Sequence, residues 1–224
     1  MDCRVIKVEQ GTDEWDALRR ARVTASRIGD VMAKPHTKRH KGYKREVTLE
    51  LLGHTEVEES PEWFRHGREM EPRALSRYEF KHDVVMDHDV FLIHKDYDWM
   101  SVSPDGLTIV GDSYAEGVEV KCRKLYKEFR AARDRILKFK DVDMLKCIDP
   151  SYRFQVQAAM WLTGWDHWWY VNYYEVKNNH GHATGDWKLQ RVPIPRDQNL
   201  IDQIELACMN FYHECCENAC LEYE

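Results

Sequence analysis

The sequence predicts an α/β protein, a central mixed β-sheet flanked by α-helices, and three observations carry that expectation. Strand-like alternation marks the middle of the chain, where Val118, Val120 and Cys122 alternate with Glu119 and Lys121. Helical spacing lies on either side of it, in Met70, Ala74, Leu75 and Tyr78 and again in Phe154, Ala158, Trp161 and Leu162. A length of 224 residues with no Pro/Gly/Ser-rich linker, repeat or low-complexity tract suits one core, so residues 1–224 are expected to form a single domain.

In order along the chain, Thr12 is placed to cap a short helix whose first turn holds Asp13 and Glu14, with Trp15, Leu18 and Arg19 along one side. A second short helix, capped by Thr24, is expected to run to about Ala33 and bury Ile28, Val31 and Met32. Residues 34–44 contain Pro35 and Gly42 and lack an apolar period, which reads as a mobile basic loop before a helix over 45–52. Ser60 and Pro61 open a longer helix to about Lys81, whose apolar stripe begins with Trp63. Residues 84–94 read as a strand, 125–139 as a basic helix and 152–163 as a helix with Gln157 at the border of its stripe. Beyond the Gly164 turn comes an aromatic, β-branched strand to Tyr174, then a strand over 187–194 and a last helix over 196–221. That helix carries Cys208, Cys215, Cys216 and Cys220 with no Cys-x2-Cys pair, the pattern of small core residues.

Charge is segregated on this chain. Its net charge is −6, yet residues 34–45 hold six Lys/Arg and no acid, and residues 121–140 hold nine Lys/Arg against Glu128 and Asp134. Such segments on an acidic body suit a polyanion confined to one channel, with Lys34, Lys38, Arg39 and Lys41 as the first candidate DNA contacts. A charged N-terminus and the lack of a long apolar run predict a soluble intracellular protein without a membrane partner, and seven cysteines there fit reduced thiols.

Chemistry concentrates between Trp99 and Cys122. Ser103-Pro104-Asp105-Gly106 is a tight-turn sequence that sets Asp105 at a strand end, and a hairpin returning through Glu119 and Lys121 gathers two carboxylates and one ammonium. Two carboxylates plus a backbone carbonyl satisfy a hard cation such as Mg²⁺, and a neighbouring Lys can orient or deprotonate an attacking water, which suits phosphodiester hydrolysis. The same spacing describes a surface hairpin with solvated neighbours. Glu71, beside the Met70 stripe, fits either a water or metal nearby or an exposed ion pair with Arg68 or Arg73.

Seven motifs stand in a familiar order: Gly11-x-Asp13-x-Trp15-x-x-Leu18-Arg19, Thr24-Ala25-Ser26, Ala33-Lys34-Pro35, Gly67-x-x-x-Glu71, Ser103-Pro104-Asp105-Gly106-Leu107, Glu119-Val120-Lys121-Cys122, and Gln155-Val156-Gln157 with Met160-Trp161. With them the chain resembles, over nearly its whole length, the lambda exonuclease family, the alkaline exonucleases of viral recombination systems. The resemblance implies a restriction-endonuclease-like core in which Asp105, Glu119 and the Val120 carbonyl bind Mg²⁺, with Mn²⁺ as a substitute. It implies that Lys121 assists the attacking water, that Glu71 is a further carboxylate and base candidate, and that Gln157 helps hold the scissile strand. Arg19, Thr24, Ser26 and Ser103 would line a pocket for the 5′-phosphate of double-stranded DNA.

The implied activity is processive 5′→3′ degradation of the 5′-ended strand to mononucleotides, leaving a 3′ overhang. A ring-shaped homotrimer, a single-strand-annealing protein as partner, and the cytoplasm of a bacterial host carrying a phage or prophage complete the expectation. Two other readings fit the same residues: a structure- or sequence-specific endonuclease on the same fold, and a DNA-end-binding recruiter with vestigial catalysis. Retention of Asp105, Glu119 and Lys121 together counts against the recruiter.

Overall fold

The computed structural model describes residues 3–54, 62–178 and 183–221. Its strands form two mixed sheets, and the sequence shows why there are two. The strand expected over 84–94 is interrupted after Asp87, so β3 (Val85–Asp87) and β4 (Val90–His94) join different sheets. One sheet has the order β1-β4-β5-β2, built from β1 (Cys3–Lys7), β4, β5 (Met100–Val102) and β2 (Val23–Thr24). The other runs β3-β6-β7-β8-β9, with β6 (Gly106–Val110), β7 (Ser113–Cys122), β8 (His167–Lys177) and β9 (Ala183–Pro195). Each sheet contains one parallel pair, β2 with β5 and β7 with β8, and is otherwise antiparallel.

Helices cover the five-stranded sheet on both faces. On one, Met70, Ala74, Leu75 and Tyr78 of α4 (Glu62–His82) meet Val118, Val120, Val171, Tyr173 and Leu189. On the other, α6 (Pro150–Thr163) packs its buried Val156, Ala158, Ala159 and Met160 into a larger core with Trp168, Tyr170, Val192 and Ile194. Alternation along β7 and β8 serves both cores at once, since neighbouring residues on a strand face opposite ways. α6 ends at Gly164, whose φ of +73° is the left-handed cap glycine supplies without strain. The last helix, α7 (Gln198–Leu221), packs against α3 (Lys38–Leu51) through Phe211 and Tyr43, and its Cys208 and Cys215 are fully buried as reduced core thiols.

Two expectations change. Residues 34–44 are mostly helix rather than a mobile loop: Thr37 caps α3 by accepting from the His40 amide, and His40, Tyr43, Val47 and Thr48 are buried at helical spacing. His40 and Tyr43 supply the period there, so an aliphatic stripe is missing from the sequence. Residues 23–33 are not one helix; Val23 and Thr24 pair with Met100 and Ser101 as β2, followed by a 3₁₀ turn over Ala25–Arg27 and the short α2 (Ile28–Val31). Ser60 and Pro61 and the Trp63 side chain, expected at the start of α4, lie outside the described residues.

Gly117 in β7 has a steric reason. A Cβ built there would lie 2.2 Å from Cη2 of Trp168, so the buried indole occupies the space a side chain would need. Gly117→Ala is expected to destabilise the fold by about 1–3 kcal/mol through overpacking. The measurement is a urea titration, with the midpoint falling at unchanged m-value.

Candidate active site

The register of β6 against β7 places Gly106 opposite Val118, which sets Asp105 beside Glu119. A two-residue turn at Gly111 and Asp112, with Gly111 at φ +61° in its first position, pairs Val110 with Ser113, and a bulge between Thr108 and Ile109 then shifts the pairing by one residue to give the register at the site. Asp105 is 8% exposed and its Oδ2 accepts from the Val120 amide at 2.6 Å; Glu119 is 3% exposed and its Oε1 accepts from Nζ of Lys121. Burial, then Glu119 and Glu71, push the Asp105 carboxyl well above its ordinary value. Burial and Glu119 likewise push Glu71 up to about 7, so this α4 carboxylate shares the field of the hairpin. Of its two alternative partners, Arg73 instead bonds Glu175 at 3.1 Å, while the Arg68 charge acts on Glu71 in the opposite direction and lowers its pKa. Burial lowers the Lys121 ammonium's pKa, but Glu119 and Asp105 outweigh it and hold the value above the ordinary one.

Three carboxylates facing one ammonium leave an excess of negative charge in a place with little water. Asp105 and Glu119 with the Val120 carbonyl are hard oxygen donors of the number Mg²⁺ takes from a protein. Among the described residues no group of three or more His, Cys, Asp or Glu side chains forms a ready-made cage. Such an incomplete set fits an ion that keeps several waters, and the donor chemistry therefore fits Mg²⁺.

Two residues upstream, Ser103 belongs to a second cluster. Its Oγ accepts from Nε1 of Trp15 at 2.9 Å. Trp15 is buried against Phe91 and Ile93, and one turn along α1 (Asp13–Arg19) the Arg19 guanidinium lies over its ring at 4.4 Å. Burial lowers the Arg19 pKa, and no carboxylate bonds it among the described residues, so a half-buried positive charge stands here without an ion partner. The pairing of β2 with β5 brings Thr24 alongside Ser101, and Thr24 Oγ1 lies 3.4 Å from Oγ of the exposed Ser26. Trp15 thus links Arg19 to Ser103, and Thr24 with Ser26 follows the β2–β5 pair whose strand β5 leads into Ser103. Ala21 makes the turn between α1 and β2 at φ +56°, a strained conformation for a residue with a Cβ, and Glu50 holds its amide at 2.8 Å.

Gln157 is a correction. It is fully buried, and its amide is spent on the backbone: Nε2 donates to the Pro195 carbonyl at 2.7 Å and Oε1 accepts from the Asp197 amide at 2.9 Å. It does not face the carboxylates. The residues that sequence reasoning passed over are Tyr152, whose ring lies 4.9 Å from Nζ of Lys121, and Gln155, half-buried one turn further along α6. Tyr43 was also hidden in the segment read as loop; its hydroxyl accepts from the Thr24 amide at 3.1 Å, and Arg27 lies over its ring. On α3, Lys38 and Lys41 are exposed, as is Lys34 before it, while the exposed Arg39 is tied to Asp30 at 2.7 Å. No helix among the described residues is long and apolar enough to cross a membrane.

Residues 14–166 match the YqaJ-like viral recombinase domain. No curated protein matches the chain by sequence. Among solved structures, an alkaline exonuclease from Laribacter hongkongensis is 28% identical, over 95% of this chain and 97% of its own, with a TM-score of 0.73. Its complex with dAMP matches at 27% identity over 95% of each chain, with a TM-score of 0.69. The shutoff and exonuclease protein of Kaposi's sarcoma-associated herpesvirus, 12% identical over 92% of this chain and 69% of its own, shares the fold at a TM-score of 0.54. A match that runs from α1 through α6 takes in both clusters, and the chain belongs to the YqaJ-like viral recombinase family, the lambda-exonuclease-like nucleases.

Proposed function

We propose that this nuclease is a Mg²⁺-dependent exonuclease that degrades the 5′-ended strand of linear duplex DNA processively, 5′→3′, to mononucleotides, leaving a 3′ single-stranded tail. One observation carries the reading: a basic, hydroxyl-lined cluster and a buried carboxylate group are joined through residues 103–105. A site that holds a terminal phosphate beside one that cleaves a phosphodiester is what removal of end nucleotides requires. The dAMP complex of the Laribacter enzyme supports a nucleoside monophosphate as the product.

Asp105, Glu119 and the Val120 carbonyl would hold Mg²⁺, with Mn²⁺ as a substitute. When bound it supplies a Lewis acid at the scissile phosphate. Lys121, kept protonated by its two carboxylate neighbours, presents positive charge to the negative charge that develops on the phosphate. Glu71, pushed up to about 7, exchanges a proton near neutrality and suits the general base. Arg19 offers a planar fork to the 5′-phosphate, with Thr24, Ser26 and Ser103 for its remaining oxygens. Each cut creates a new 5′-phosphate for the same pocket, so direction and processivity share one cause. Exposed Lys34, Lys38 and Lys41, with Arg39, attract the duplex without reading sequence. Gln155 with Tyr152, rather than Gln157, takes the role toward the scissile strand. The proposal extends to a ring-shaped homotrimer acting with a single-strand-annealing protein, as the resemblance implies.

Linearised plasmid should disappear in Mg²⁺ while the closed circle survives, and Asp105→Ala or Glu119→Ala should abolish this digestion while DNA binding in Ca²⁺ persists. Loss of the circle at a comparable rate would favour the endonuclease, and binding without any nucleotide release by the unaltered protein would favour the recruiter.

A 5′-phosphorylated duplex should be digested faster than a 5′-hydroxyl one. Arg19→Ala should erase that preference and shorten the run per binding event, with only partial rescue by Arg19→Lys because the fork is lost. Initial rates and product lengths under single-encounter conditions decide it; equal rates on both ends for the unaltered protein would remove the pocket.

Chelated protein should lose stability as pH rises. Glu71 titrates from its ordinary 4.5 when unfolded and at about 7 when folded, so between those values the folded state keeps a proton the unfolded state has released. Its stabilising contribution is full below about 4.5 and gone above about 7. Melting temperatures from pH 5 to 8 should fall in chelator and flatten in Mg²⁺; the same slope in both would detach Glu71 from the metal group.

A further inference from the structure

The row of side chains that contains Glu119 and Lys121 does not stop with them. Arg123 is the next residue on that side of β7, and its amide donates to the Tyr173 carbonyl at 2.8 Å, which continues the ladder past the end of the strand. Its Nε donates to Oδ1 of Asn172 at 2.9 Å and its Nη2 to the Tyr170 hydroxyl at 2.6 Å. These partners stand opposite the same row: Glu119 registers with Tyr170 and Lys121 with Asn172. Both are buried, at 2% and 0% exposure, and Asn172 is itself fixed by donating to the Phe129 carbonyl at 3.1 Å. Tyr152 lies between the two cations, its ring 4.9 Å from Lys121 and 5.8 Å from Arg123.

Like Arg191 on the Tyr78 hydroxyl and Arg196 on Gln198 and the Met160 carbonyl, this guanidinium has uncharged partners, but of these three it is the one that continues the Glu119–Lys121 row; other guanidiniums are neutralised by carboxylates. Arg27 bonds Asp30 and Glu46, Arg39 bonds Asp30, Arg73 bonds Glu175 and Arg133 bonds Asp134. Arg123 is held by a phenol and an amide, which fix its orientation and leave its positive charge uncompensated by any carboxylate among the described residues. It is half-buried, and guanidinium N–H groups remain beyond the two that Asn172 and Tyr170 occupy. A rigid, uncompensated fork beside a hydrolytic group is a preorganised anion site.

We propose that Arg123 binds a backbone phosphate next to the one being cleaved, with Tyr170 and Asn172 as positioning residues that never touch DNA. This rests on the nuclease reading above. The contact would keep the strand seated across the Glu119–Lys121–Arg123 row while the terminal nucleotide leaves.

The experiment measures binding of a 5′-phosphorylated duplex in Ca²⁺ across a salt series. Arg123→Gln should reduce the slope of log affinity against log salt by about 0.9, the share of one phosphate contact, whereas Arg123→Lys should keep the slope. Tyr170→Phe should keep it too but raise KM for digestion in Mg²⁺, because the charge survives and its aim does not. An unchanged slope for Arg123→Gln, with only a lower melting temperature, would make Arg123 a structural hydrogen-bond donor and overturn the proposal. Methylphosphonates placed singly on each side of the scissile position test the same contact in the unaltered protein. Undiminished affinity at both positions overturns the proposal even where the Gln variant fails to fold. Absence of any DNA binding by the unaltered protein would overturn the nuclease reading as well, which separates the two failures.

Discussion

Burying Asp105 and Glu119 side by side is the constraint to which the neighbouring elements answer. Two like charges taken out of water repel and lose hydration together, an arrangement that drives a carboxyl toward its protonated form. Packing holds them there nonetheless. Val118 and Val120 on the opposite side of β7 are locked against α4, the Trp168 indole closes over Gly117, and the turn at Gly111 and Asp112 together with the bulge at Thr108 and Ile109 sets the pairing with β6. Lys121 relieves part of the repulsion, and a divalent cation would relieve the rest. Stability and activity therefore pull against each other in the same few residues.

Trp15 ties the two sheets' business together. Its ring fills a small core under β4, its N–H holds Ser103 at the exit of the four-stranded sheet, and its face carries Arg19. Only Pro104 then separates Ser103 from the first carboxylate of the other sheet. An aromatic residue here is at once core, hydrogen-bond donor and platform, which is why the short helix α1 needs no long apolar stripe of its own.

Much of this was legible in the sequence where local chemistry and tertiary structure agree. Alternation around Glu119 separated the polar row from Val118 and Val120, and the structure follows it, with the two valines in the core under α4 and Glu119 bonded to Lys121. Buried Cys208 and Cys215 likewise behave as the small core residues that helical spacing implied. The failures lie where a tertiary partner overrode a local signal. Thr24 looks like a helix cap, yet Val23 and Thr24 find a parallel partner in β5, some eighty positions away along the chain and invisible to any window. Gln157 is drawn to the Pro195 carbonyl and the Asp197 amide, and the first half of α3 escaped notice because a histidine and a tyrosine form its buried side.

The short path from Ser103 to Asp105 has a consequence of its own. Two residues span at most about 7 Å, so on the proposed function the distance between a phosphate at Ser103 and a cation at Asp105 would be bounded by covalent bonds, not by the packing of loops. A protein that measured out fragments with a flexible arm would yield a range of sizes. In the exonuclease proposed above the measuring stick would be the backbone itself, its graduation constant however far the surrounding helices breathe.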